Sequence, residues 1–147
     1  MDLRVTYKDG VRFEAETRGH RIEIDQPISG GGQDRGMTPP ELLLAALGSC
    51  AAYYAVEYLR ARNLPAQGVE VKVHGEKVAG PARLGSFLIE VLVPELPEER
   101  HVEGVKAAVK KCLIHNTLLN APSIEIAVHQ GPPYREVAIR KNIRVFS

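Results

Sequence analysis

The sequence has no excess of either charge. Lys and Arg number 19 against 18 Asp and Glu, for a formal net charge of +1. That balance argues against nucleic acid or an anionic membrane as a partner, so specific binding must come from a local site. No secretory signal is visible: Leu3 and Val5 alternate with polar neighbours from the first residues. No apolar run is long enough to span a bilayer. The longest, Leu42 to Val56, contains Gly48 and Ser49 and covers 15 residues, against roughly 20 required. Internal repeats and low-complexity tracts are missing as well. Only two cysteines occur. The expected location is therefore cytoplasmic, and in a reducing compartment two cysteines suit redox or catalytic use better than a permanent staple.

What is present is the composition of one globular domain. The chain has 147 residues, 44% hydrophobic and 25% charged, enough to bury an ordinary core. Leu3, Val5 and Tyr7, then Val11, Phe13 and Ala15, then Ile22 and Ile24 alternate with polar residues. The turn residues Asp9-Gly10 and Gly19 separate them, which predicts a three-stranded meander with one wet face. Residues 27–37, with Gly30-Gly31-Gly32, predict a loop without regular structure that acts as a flap. A helix then opens on Thr38, Pro39 and Glu41, the pattern of a capping box, and runs to about Arg62. Its segment Leu42–Leu47 is apolar on every side, which predicts burial all round.

Val69, Val71 and Val73 predict a fourth strand and residues 84–93 a fifth. Glu98 and Glu99 favour a second helix that continues to Cys112. Ile124, Ile126 and Val128 predict a last strand. The order β-β-β-α-β-β-α-β is an α+β plan. Residues 1–130 form the domain, and 131–147 are an extended tail, with Val137, Ile139, Ile143 and Val145 as a further strand or an arm on a partner.

Cys50 lies within Leu47-Gly48-Ser49-Cys50-Ala51-Ala52, where small neighbours let a backbone or a substrate reach the sulfur. A buried cysteine that merely packs is the plain alternative. Cys112 lies in Lys110-Lys111-Cys112-Leu113-Ile114-His115. Its lysines favour a thiolate, while a helix C-terminus disfavours one. Cys50 is thus the better attacking sulfur and Cys112 the better second one. Cys112 and His115 alone are too few ligands for zinc. The glycine run lacks the Gly-Lys-Ser/Thr ending of a phosphate loop. His20, His74, His101 and His129 sit in exposed-looking contexts, whereas Tyr53, Tyr54 and Tyr58 are read as core packing.

The stretch Gly36-Met37-Thr38-Pro39-Pro40-Glu41-Leu42-Leu43-Leu44-Ala45-Ala46-Leu47-Gly48-Ser49-Cys50 resembles the first-cysteine helix of the OsmC/Ohr superfamily. Val105 to Leu118 resembles its second-cysteine helix. The resemblance implies an intertwined homodimer with two central helices on antiparallel sheets. It implies two active sites at the subunit interface and reduction of organic hydroperoxides by a redox pair. Cys50 would then be peroxidatic and Cys112 resolving, with an external dithiol reductant and no cofactor or metal. The characterised peroxidases of the family carry a glutamate directly after the helix-opening proline. Here that position is Pro40, and Glu41 comes one place later, so Glu41 is read first as a cap and second as an active-site acid. A thiolate-stabilising arginine is also implied, with Arg12, Arg18, Arg21 and Arg35 as candidates. The competing reading is a non-catalytic dimer of the same fold that binds a small apolar ligand.

Overall fold

The computed structural model describes residues 1–131; the expected tail strand lies outside the described residues. Strands β1 (Arg4–Asp9), β2 (Arg12–Thr17) and β3 (His20–Ile24) form an antiparallel sheet in chain order. The turn from β2 to β3 places both Arg18 (φ 50) and Gly19 (φ 80) in the left-handed region, as the tight hairpin turn that matches strand twist demands. The register sets Val5 beside Ala15, Tyr7 beside Phe13, Ala15 beside Ile22 and Phe13 beside Ile24. One face of the sheet is therefore largely apolar, with Thr17 and His20 at its end, as the period-two pattern predicts.

Helix α1 (Pro39–Arg60) is followed by the hairpin of β4 (Glu70–Val78) and β5 (Arg83–Leu92), then by α2 (Glu99–Val109) and α3 (Leu113–Leu119). The core lies where α1 and α2 meet the β4–β5 hairpin: Ala51, Ala55, Leu59, Val105 and Val109 are buried together. Small residues on α1 let it approach the sheet closely. A Cβ at Gly48 would sit 3.0 Å from a methyl of Val73, so even alanine would crowd this contact.

The α+β plan holds, with three corrections. The second predicted helix does not run to Cys112. It ends at Val109 and a short α3 begins at Leu113, because the chain turns through Lys110, Lys111 and Cys112. No strand forms at residues 124–128 among the described residues. Ile124, Ile126 and Val128 stand 82–89% exposed and pair with no strand among the described residues. The observed order is β-β-β-α-β-β-α-α. Third, α1 is not buried all round. It buries the stripe Leu47, Gly48, Ala51, Ala55 and Leu59, while Ala45, Ser49 and Tyr53 on the other side are exposed. A segment apolar on every side thus finds cover on only one side in a single chain.

The glycine loop is a clasp rather than a flap. Asp25, 1% exposed, accepts backbone N–H bonds from Gln26 (2.8 Å), Gln33 (3.0 Å) and Arg35 (3.2 Å). Burial works to raise the Asp25 carboxyl, but the three donors outweigh it and hold its pKa below the ordinary value. The loop contains a 3-10 turn at Ile28–Gly30. A Cβ at Gly32 or Gly36 would overlap the backbone carbonyls of Gln26 or Glu23. Both positions are therefore glycine for close approach rather than for mobility.

Candidate active site

Cys50 stands halfway along α1 and is partly buried; Cys112 is fully buried, at 0% exposure. Their side chains lie near enough for Cys50 to act on the Cys112 thiol. The packing of α3 against α1 brings about this meeting. Both cysteines carry free thiols.

The local setting of Cys112 differs from the one its sequence suggests. It does not end a helix. It is the N-cap of α3, where its sulfur accepts the backbone N–H of His115 at 3.4 Å. An N-cap favours a thiolate, the opposite of the helix-end argument from sequence. Burial is nevertheless the larger influence. It pushes the Cys112 thiol up from its ordinary value, the neighbouring Cys50 side chain pushes the same way, and the N–H groups of His115 and Ile114 only partly offset them. The sealed sulfur is thus the poorly ionised one, and Cys50 is the sulfur that a molecule from outside can reach. A pair of this kind can be oxidised to a disulfide if the geometry allows sulfur–sulfur bonding.

Arg35 and Glu41 come together, but at a different place. Both line a cleft of about 570 Å3 between the glycine loop and the start of α1, with Met37 and Leu44. Glu41 accepts from the Thr38 backbone N–H at 2.7 Å and from the Thr38 hydroxyl at 2.8 Å. Those two bonds hold its carboxyl below the usual value. Glu41 is therefore the helix cap. Nine residues separate it from Cys50, and at about 100° per residue that is half a turn round the helix. The Arg35 guanidinium pairs with Glu23 at 3.4 Å. Arg12 bonds Asp9 and Glu23, and Arg21 pairs with Glu16 at 3.5 Å. Within the protomer these arginines serve the first sheet and its loop.

Two polar features are not evident in sequence. His101 is buried, at 7% exposure, contrary to its polar context. Its Nδ1 meets the Tyr58 hydroxyl at 3.1 Å, and the Arg62 guanidinium stacks 3.7 Å from the Tyr58 ring centre. The only available clue is the helical phase of α2, which places His101, Val105 and Val109 on one stripe. His115 lies one turn into α3, and its Nδ1 is buried without a hydrogen-bond partner among the described residues. Of the three tyrosines read as core, Tyr53 is 60% exposed.

The family model of OsmC-like protein matches residues 31–127, well over half the chain. No curated protein matches it. Among solved structures, the fold resembles a Psychrobacter arcticus protein described as an osmotic stress induced and detoxification response protein. The two share 20% identity with a TM-score of 0.72, over 78% of this chain and 85% of that one. An OsmC-like protein from Mycoplasma pneumoniae has 21% identity and a TM-score of 0.65, over 82% and 87% of the two chains. The organic hydroperoxide resistance protein OhrB of Bacillus subtilis has 18% identity and a TM-score of 0.56, over 82% and 93%.

Proposed function

Because the chain belongs to the OsmC-like protein family, we propose that it is a thiol-dependent peroxidase that reduces organic hydroperoxides through Cys50 and Cys112. The packing of α3 against α1, which sets Cys112 near Cys50 from a distant part of the chain, is the observation that supports the reading. In the proposed cycle the Cys50 thiolate attacks one peroxide oxygen. The O–O bond breaks, an alcohol leaves after taking a proton, and Cys50 becomes a sulfenic acid. Cys112 attacks that sulfur, water leaves, and a disulfide forms. An external dithiol then reduces the disulfide in two exchange steps, itself becoming oxidised. Partial exposure of Cys50 suits the first step, and the sealed position of Cys112 keeps the second sulfur from the peroxide.

The working unit in this reading is a homodimer. The apolar face of the first sheet is left open: Val5, Tyr7 and Ile22 are 47–60% exposed. That sheet makes no substantial contact with the helices of its own protomer. The bare side of α1 adds Ala45 and Tyr53 to the uncovered apolar surface, with Ser49 between them. Contiguous exposed apolar surface of this kind is what a second copy covers. A non-catalytic apolar-ligand binder is the competing reading. It is favoured by the engagement of Glu41 as a cap and of Arg35 with Glu23.

The deciding experiment mixes reduced protein, an alkyl hydroperoxide and a dithiol. Peroxide should be consumed catalytically, and Cys50→Ser should abolish consumption. Stoichiometric peroxide without reductant should give a peptide linked between residues 50 and 112. Unchanged turnover in the serine variant would remove the assignment.

A further inference from the structure

A second hollow lies between β5 and α2, with His115 of α3 also on its wall, and neither cysteine lines it. It encloses about 310 Å3, near the lower limit of small-molecule sites. Its lining is aliphatic, with Val91 from β5 facing Val105 and Val109 from α2, and it includes no aromatic ring except the His115 imidazole. The polar groups along it are Lys106, Lys110 and His115; no carboxylate lines it. Lys106 touches Glu103 at 3.7 Å on the outer surface, where both are mostly exposed, a pair of little strength. Lys110 has no ion pair among the described residues.

We propose that this cleft binds a linear aliphatic monocarboxylate of about eight carbons, its chain on the valines and its head between Lys106 and Lys110. A neutral hydrocarbon would leave both cations unused, and a bare anion would leave the apolar wall wet. A molecule with one apolar end and one negative end satisfies both. Length follows from volume. At about 30 Å3 per heavy-atom-sized group, the share of a water in liquid, the cleft takes about ten such groups.

The site goes beyond the thiol chemistry and does not depend on it. The test titrates the reduced full chain with octanoate, octan-1-ol and acetate, followed by calorimetry and by amide chemical shifts. Octanoate should bind at least ten-fold more tightly than either comparison molecule, with shifts centred on Val91, Val105 and Val109. Lys106→Gln with Lys110→Gln should bring octanoate to the affinity of octanol at unchanged melting temperature. A Cys50→Ser, Cys112→Ser protein should bind octanoate as well as the parent, which separates this result from any failure of peroxidase activity. Equal binding of octanol and octanoate, an unaffected double lysine variant, shifts centred on α1 around Cys50, or no octanoate binding would each overturn the proposal.

Discussion

Cys50, midway along α1, lies near enough to Cys112, at the N-cap of α3, to help push its thiol pKa up, although 62 positions separate them in the chain. The two sulfurs are unequal. Cys50 is partly open and Cys112 is sealed, with burial raising the Cys112 pKa. Alkylation of the native reduced protein at neutral pH should therefore proceed in order. Cys50 should react at least about ten-fold faster, because reagent can reach it and burial disfavours the Cys112 thiolate. Peptide mass spectrometry over a time course reads this directly, and equal rates would contradict the described packing of Cys112.

Glu41 is the acid nearest in sequence to the family's glutamate position, yet it is spent on Thr38. Removing its charge should barely touch the chemistry. Glu41→Gln should leave the rate of Cys50 oxidation by an alkyl hydroperoxide within about three-fold. A proton-transferring or thiolate-activating acid would cost about 100-fold or more. Stopped-flow peroxide consumption separates the two outcomes, and a hundred-fold loss would return Glu41 to the reacting groups.

The elements that were legible in the sequence are those whose pattern is local. Val5, Tyr7, Phe13, Ala15, Ile22 and Ile24 alternate strictly, and Thr38-Pro39-Pro40-Glu41 announces a helix start by its own side chains. The boundaries that failed depend on partners far away. Whether Ile124, Ile126 and Val128 form a strand depends on having an edge to pair with. Whether Leu42–Leu47 is buried depends on what lies on both sides of α1. The polarity of the helix end at Cys112 hinged on one turn, Lys110 to Cys112, that carries neither glycine nor proline to mark it. Both cysteines were legible as candidates, but their meeting was implied only by resemblance, since no local rule reports a contact over that separation.

Asp25 ties the glycine loop to the end of β3, and its bonds require an ionised carboxylate as triple acceptor. Its folded pKa lies below the ordinary 3.8. A group depressed in this way contributes stability that is fully present above 3.8 and is lost as pH falls through the lower, folded value. Asp25→Asn should lower the melting temperature at pH 6, since an amide offers one acceptor oxygen and turns donors toward donors. The gap between variant and parent should narrow as pH is taken from about 4 toward 2. Differential scanning calorimetry across that range checks it; a gap that stays constant with pH would show that the carboxylate charge is not what holds the loop.

Gly104 on α2 lies directly under Tyr58 of α1, so that a Cβ there would overlap the phenol. The same phenol holds His101 through its hydroxyl at 3.1 Å. A methyl at position 104 must push the ring aside, and the His101 bond and the Arg62 stacking go with it. Gly104→Ala should cost about 1–3 kcal/mol despite the better helix propensity of alanine, because overpacking outweighs the propensity gain. In a Tyr58→Ala background the ring is absent, and the same substitution should cost about zero or stabilise slightly. The two changes are therefore non-additive, with a coupling of about the size of the Gly104→Ala penalty. Urea denaturation of the four proteins measures it. Additive costs would mean that α1 and α2 do not meet through this tyrosine.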